Sequence, residues 1–258
     1  MPRFAANLSF LFNERPFLER FGAAAAAGFE AVEYLFPYEH PAESLAGLLK
    51  QHGLQQALFN LPPGDWAKGE RGLAALAGRE SEFEQGVTMA LDYAKALACP
   101  RVHAMAGVLP AGADLAKAET TYLGNLKQAA AEAGRRGLVL VIEPINGRDI
   151  PGFYLQTTRH AEKAIEAVGS PHLKLQLDLY HCQIMEGDLT RRIERLFPLI
   201  EHVQIASVPE RHEPDEGEVA YAPLFRLFDR LGYRGWIGCE YRPRGKTEDG
   251  LGWMKSLT

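Results

Sequence analysis

The sequence predicts an α/β fold, a single (β/α)8 TIM barrel over residues 1–258, and three observations predict it. Eight strand-like apolar runs alternate with helix-like stretches. At 258 residues and 47% hydrophobic, the chain is long enough to bury one large core. A junction pattern also recurs: a helix-like stretch, a glycine, an apolar residue and a strand-like run, at Gly28, Gly53, Gly137 and Gly232. A glycine there meets the needs of a left-handed helix cap, and four similar contexts outweigh coincidence even in a chain with 25 glycines.

In order, the strand-like runs are Phe4–Phe10, Ala31–Phe36, Gln56–Leu61, Arg101–Ala106, Leu138–Ile145, Leu173–Leu179, His202–Ser207 and Trp236–Tyr241. Between them, Phe17–Ala27, Glu80–Ala98, Ala113–Arg135, Thr157–Val168 and Tyr221–Leu231 carry apolar residues at a spacing nearer 3.6 than 2 and are expected to be helices. Two connections exceed a simple turn, Pro62–Arg79 and Val208–Tyr221, each directly after a strand-like run. In a barrel such loops lie on the catalytic face, where they cover a small substrate or stand solvated.

The formal charge of −5 gives no basic field for a phosphate backbone, so nucleic acid is not an expected partner. Cys99, Cys182 and Cys239 form no CxxC pair, which fits a reducing cytoplasm better than a disulfide framework or a cysteine zinc site. No segment is long enough to span a bilayer, and neither GxGxxG nor GK[ST] falls in a strand-to-helix context, so no membrane association and no nucleotide cofactor are expected. Oligomeric state is not legible.

Four oxygen-bearing side chains end late apolar runs: Glu143 in LVLVIEP, Asp178 in LKLQLD, Gln204 in HVQIA and Glu240 in WIGCE. The steps from 143 to 178, 178 to 204 and 204 to 240 are 35, 26 and 36 residues, about one strand plus one helix each. Neighbouring units can therefore aim them at one point. Three carboxylates and an amide carbonyl suit a hard divalent cation, magnesium or manganese, better than zinc. A lone glutamate at a strand end is usually solvated; an ionised carboxylate after a doubly buried strand needs a cation or a raised pKa.

Asn60 in LFNLP and His103 in RVHAMAG also end strand-like runs, and each reads equally as a substrate contact or a satisfied rim group. Glu33 in AVEYLF is a lesser candidate acceptor. Arg211 and His212 lie in a charged loop, normally a solvated face, although an arginine fork suits a substrate carboxylate.

The opening MPRFAANLSFLF, the loop PPGDWAKGERGLAALAGRE, IEP, DLYH, HVQIA followed by PERHEPDEGE, and WIGCEYRPRG resemble the xylose-isomerase-like barrel superfamily. The likeness is nearest its hydroxypyruvate isomerase and 2-oxo-tetronate isomerase branch. The resemblance implies that Glu143, Asp178, Gln204 and Glu240 bind a divalent metal. It also implies that Glu143 and Glu240 are the proton donor and acceptor, and that His181 and Arg211 contact substrate. Many relatives carry His where this chain has Gln204, a departure that weakens zinc. The expected function is isomerisation of a small sugar acid. An apurinic-site endonuclease on the same barrel and a non-catalytic carbohydrate-binding barrel are the alternatives.

Overall fold

Eight short parallel strands make the inner wall: β1 (Arg3–Asn7), β2 (Ala31–Glu33), β3 (Gln55–Leu58), β4 (Arg101–His103), β5 (Val139–Ile142), β6 (Leu173–Asp178), β7 (Ile200–Ile205) and β8 (Trp236–Cys239). The computed structural model describes residues 2–257, so Met1 and Thr258 of the domain expected over 1–258 lie outside the described residues. The strand order is β3-β2-β1-β8-β7-β6-β5-β4. A parallel bridge between Asn60 and His103 joins the two ends of that order. There Leu61 N–H donates to the His103 carbonyl at 2.8 Å and His103 N–H to the Phe59 carbonyl at 2.9 Å.

Around the wall lie α1 (Phe17–Ala26), α2 (Ala42–His52), α3 (Glu80–Ala96), α4 (Leu115–Arg135), α5 (Thr158–Val168), α6 (Leu179–Met185), α7 (Leu189–Leu196), α8 (Tyr221–Leu231), α9 (Thr247–Gly250) and α10 (Trp253–Ser256). Five of these match expected helices to within two residues. Helix α2 is signalled in the sequence only by the helix-like stretch that ends at Gly53, and α6, α7, α9 and α10 match no expected helix. Helix α6 follows β6 with no turn between them, because Asp178 closes the strand and also caps the helix, accepting from Tyr180 N–H at 2.7 Å. The apolar run therefore reads straight through the boundary. All four junction glycines have positive φ: +91° at Gly28, +66° at Gly53, +70° at Gly137 and +81° at Gly232.

Most strands end sooner than their apolar runs: Phe4–Phe10 becomes Arg3–Asn7, and Leu138–Ile145 becomes Val139–Ile142. Beyond the last ladder bond the chain stays buried under the loops, so the hydropathy signal outlasts the strand. The residues in this overrun, Asn60, Glu143 and Glu240 among them, form the rim of the mouth.

Alternation along each strand sorts side chains into two sets. Leu173, Leu175 and Leu177 of β6 and Val203 and Ile205 of β7 pack outward in the large apolar layer beneath the helices. The inward set starts with Ala5, Ala31, Ala57 and Trp236, a separate plug in which one large ring fills the space left by three alanines. Above that plug the axis turns polar, with Asn7, Glu33, Gln176 and His202 all buried. Gly238 is small because Glu33 lies against it: a Cβ there would come within 2.3 Å of the Glu33 carboxylate.

Replacing Gly238 with Ala should therefore cost about 1–3 kcal/mol through overpacking. Gly47 lies in α2, has no strained φ and has open space around it, so Gly47→Ala should stabilise by roughly 0.5–1 kcal/mol through helix propensity. Denaturant melts of the two variants are expected to move in opposite directions.

Candidate active site

Glu33 is the hub of the polar layer. It accepts from Asn7 Nδ2 at 3.0 Å and Gln204 Nε2 at 2.7 Å on one oxygen, and from His202 Nε2 at 2.6 Å on the other. Asn7 and Gln204 then reach upward to Glu240 Oε2, at 2.9 and 2.7 Å. The Asn7 amide orientation is set independently, since its Oδ1 accepts the Ser9 backbone N–H at 3.1 Å. Two buried carboxyl groups are thus bracketed by the same two amides, which satisfies their lone pairs where water is excluded.

At the mouth, ligand atoms of Glu143, Asp178 and His181 all lie within 4.8 Å of one another. Asp178 uses Oδ1 to cap α6, and its buried Oδ2 has no hydrogen-bond partner; neither has the buried Oε1 of Glu143. Two orphaned, converging carboxylate oxygens are costly alone and fit a divalent cation. Burial drives the Glu143 carboxyl well above the usual range, helped by the nearby charges of Glu240 and Asp178. Burial likewise lifts Asp178 to about 6 and Glu240 to about 8, with Arg211 opposing both. Burial thus disfavours the fully ionised cluster, a cost that a bound cation would offset.

His181 is neutral, because burial and then the charge of Arg211 press its pKa far down. Asn146 Oδ1 accepts the Asp149 backbone N–H at 2.8 Å, so its Nδ2 is the end that donates to His181 Nδ1 at 2.6 Å. The imidazole proton then sits on Nε2, facing Asp178 Oδ2 at 3.6 Å and Glu143 Oε1 at 4.0 Å. The Arg211 Nη2 contact to that nitrogen, at 3.5 Å, lies at the limit of a hydrogen bond and does not outweigh the shorter bond from Asn146. In this tautomer His181 is a donor toward a ligand oxygen, and a direct bond to a cation would require its proton to move.

Arg211 reaches Glu240 Oε1 at 2.6 Å and Asp149 Oδ2 at 3.4 Å, and its φ of +59° is a strained value for a non-glycine residue. His103 Nδ1 lies 3.2 Å from Asn60 Oδ1 and 3.7 Å from Glu143 Oε2, and burial lowers its pKa to about 3. A cavity of about 230 Å³ opens onto this cluster; Asn60, Glu143, His181, Arg211 and Glu240 all line it. Asn60, His103, Glu143, Asp178, His181, Gln204, Arg211 and Glu240 therefore gather at one end of the barrel, with Glu33 in the polar layer below them, while the His212 Nδ1 lies 2.7 Å from the Arg242 carbonyl oxygen.

Gln204 stands differently from the oxygen donor expected of it. Its Oε1 accepts from Gln176 Nε2 at 2.7 Å, and its nitrogen is what it turns to Glu240. Presenting the oxygen would require reversing both amides. Asn7, Gln176, His202 and Asn146 are site residues not expected from the sequence, and Glu33, a lesser candidate there, is the hub of the polar layer. Gln176 and His202 sit two residues before Asp178 and Gln204, so a period of two counted back from the mouth residues would have found them.

Fold and site together define a parallel β/α barrel with an acidic, cation-compatible mouth around a small cavity. The chain belongs to the xylose isomerase-like TIM barrel family, whose pattern it matches over residues 21–257. It is 56% identical to the 2-oxo-tetronate isomerase of Cupriavidus necator over 255 residues, covering 99% of this chain and 98% of that one. To the hydroxypyruvate isomerase of Escherichia coli it is 47% identical over 254 residues, 98% of each. A crystal structure described as AP endonuclease, family 2, from Brucella melitensis has a TM-score of 0.97 and 54% identity, covering 99% of both chains.

Removing the shared amide tests the bracket. Asn7→Ala should destabilise the protein by about 1–3 kcal/mol, the cost of stranding buried acceptors, as read from chemical denaturation.

Proposed function

We propose that the chain isomerises a small oxidised sugar acid, exchanging a carbonyl with the adjacent hydroxyl: hydroxypyruvate to tartronate semialdehyde, or a 2-oxo-tetronate to the 3-oxo compound. The carrying observation is that two buried carboxyl groups, Glu143 with an uncommitted oxygen and Glu240, face one cavity of about 230 Å³. That volume lies below the ~300–1,000 Å³ of drug-sized pockets and suits a compound of three or four carbons. The names and identities of the full-length relatives support the same class.

Glu143, Asp178 and Glu240 would hold a divalent cation, magnesium or manganese, with Gln204 joining them only after the amide reversal. When bound, the cation would polarise the carbonyl and adjacent hydroxyl and lower the cost of the enediolate. The rest of the reaction falls to side chains. Glu143 removes the proton from the hydroxyl-bearing carbon through the carboxylate oxygen that the cation would leave free, and His181 Nε2–H steadies the oxygen on which charge grows. Glu240 returns a proton to the neighbouring carbon while Asn7, Gln204 and Arg211 fix its orientation.

A metal-dependent phosphodiesterase is the less favoured reading. Among the described residues the metal-capable group contains one histidine, whereas zinc-based phosphodiester chemistry draws on several. No helix among the described residues is long and apolar enough to cross a membrane, and all three cysteines are buried and unpaired, which supports a cytoplasmic setting.

Glu143→Gln and Glu240→Gln should each lower kcat on hydroxypyruvate or a 2-oxo-tetronate by ~100-fold or more with the circular dichroism of the folded protein retained. Full activity in both variants would refute the assignment. Turnover in D2O should place solvent deuterium on the product carbon; retention of the substrate hydrogen would point to a hydride shift instead.

A further inference from the structure

We propose that Arg71 grips the substrate carboxylate and so sets a preference for sugar acids over neutral sugars; this rests on the sugar-acid reading above and names the residue behind it. Arg71 lines the same cavity as Glu143 and Glu240. Its Nη1 donates to the carbonyls of Trp66 at 3.0 Å and Glu70 at 2.7 Å, and its guanidinium lies 3.7 Å from the centre of the Trp66 ring. These partners fix the position of the group but are uncharged, so its positive charge is not neutralised.

The neighbouring acid does not quench it. Glu70 is taken by Arg79, whose Nη1 lies 2.7 Å from Oε1. Among the described residues no carboxylate stands within ion-pair distance of Arg71, and its Nε–Nη2 edge makes no hydrogen bond. That edge is the planar fork that receives a carboxylate through two parallel bonds. The other arginines at the cavity are placed differently. Arg211 is engaged by Glu240 and Asp149, and Arg242 is exposed at the lip, tied in through its backbone N–H to the Arg211 carbonyl at 2.8 Å.

The loop holds this arginine in place before a ligand arrives. Gly72, next in the chain, has φ +104° and presses so closely on β4's continuation that a Cβ would fall 2.2 Å from the Met105 carbonyl oxygen. Its N–H donates to the Pro63 carbonyl at 2.9 Å, and Ala75 N–H to the Ala106 carbonyl at 2.8 Å. Trp66 is braced edge-on by Phe36 at 5.1 Å, and Asp65 caps the short turn Trp66–Lys68. Much of the ordering that a long, flexible arginine needs is therefore already met in the free protein.

The test is calorimetric binding of glycerate, a hydroxy acid with no carbonyl to isomerise, to the magnesium-saturated protein and to Arg71→Gln and Arg71→Lys. Arg71→Gln should weaken glycerate by about 10- to 100-fold and raise KM for hydroxypyruvate in parallel, with kcat little changed and the melting temperature held. Arg71→Lys, which keeps the charge but not the fork, should fall between the two and guards against a folding defect. Glycerate binding that is unaltered in Arg71→Gln, or absent in the wild type, overturns the proposal. A wild type that binds glycerate through Arg71 yet turns over neither hydroxypyruvate nor a 2-oxo-tetronate would leave the grip standing and sink the isomerase reading.

Discussion

Holding several carboxyl groups along the dry axis of a barrel is the constraint to which the rest of the structure answers. Glu33, Glu143, Asp178 and Glu240 are all buried, and each would be prohibitively costly as an isolated charge. The fold meets the cost in two layers. Below, Asn7, Gln204 and His202 supply donors to Glu33, and the two amides extend that support to Glu240. Above, Glu143 and Asp178 each keep one oxygen without any partner. In the lower layer both Glu33 oxygens are satisfied by the protein alone, whereas the orphan oxygens of the upper one find partners only in a cation, a proton or a ligand.

Division of labour follows from which atoms are already committed. Glu240 is bonded on both oxygens, which makes it a well-oriented group whose proton affinity is set by neighbours. Glu143 is less encumbered and freer to accept a proton. His181 is fixed as an Nε2–H donor by a chain running back through Asn146 to the backbone of Asp149. Preorganisation of this kind places dipoles and donors before substrate arrives, and is the main way a barrel mouth lowers a barrier.

Much of the fold was legible because parallel strands buried on both faces write long apolar runs, and because Gly28, Gly53, Gly137 and Gly232 punctuate the junctions. Strand ends were less legible, since burial continues past the last ladder bond, and α6 was masked by Asp178 serving both strand and helix. Glu143, Asp178 and Glu240 stood out through repeated context. Asn7, Gln176 and His202 are single polar letters inside apolar runs, and their importance appears only once register turns them toward one axis. The orientation of Gln204 cannot be read from a sequence at all, because the two ends of an amide differ only in what surrounds them.

The paired orphan oxygens of Glu143 and Asp178 are proposed to form a cation site. The most direct measurement is a calorimetric titration of manganese or magnesium into metal-stripped protein, alongside Asp178→Asn, in which asparagine still caps α6. One cation per chain is expected in the wild type, with a large loss of affinity in the variant while its fold stays intact. No binding to the wild type, or equal binding to both, would contradict the proposed site.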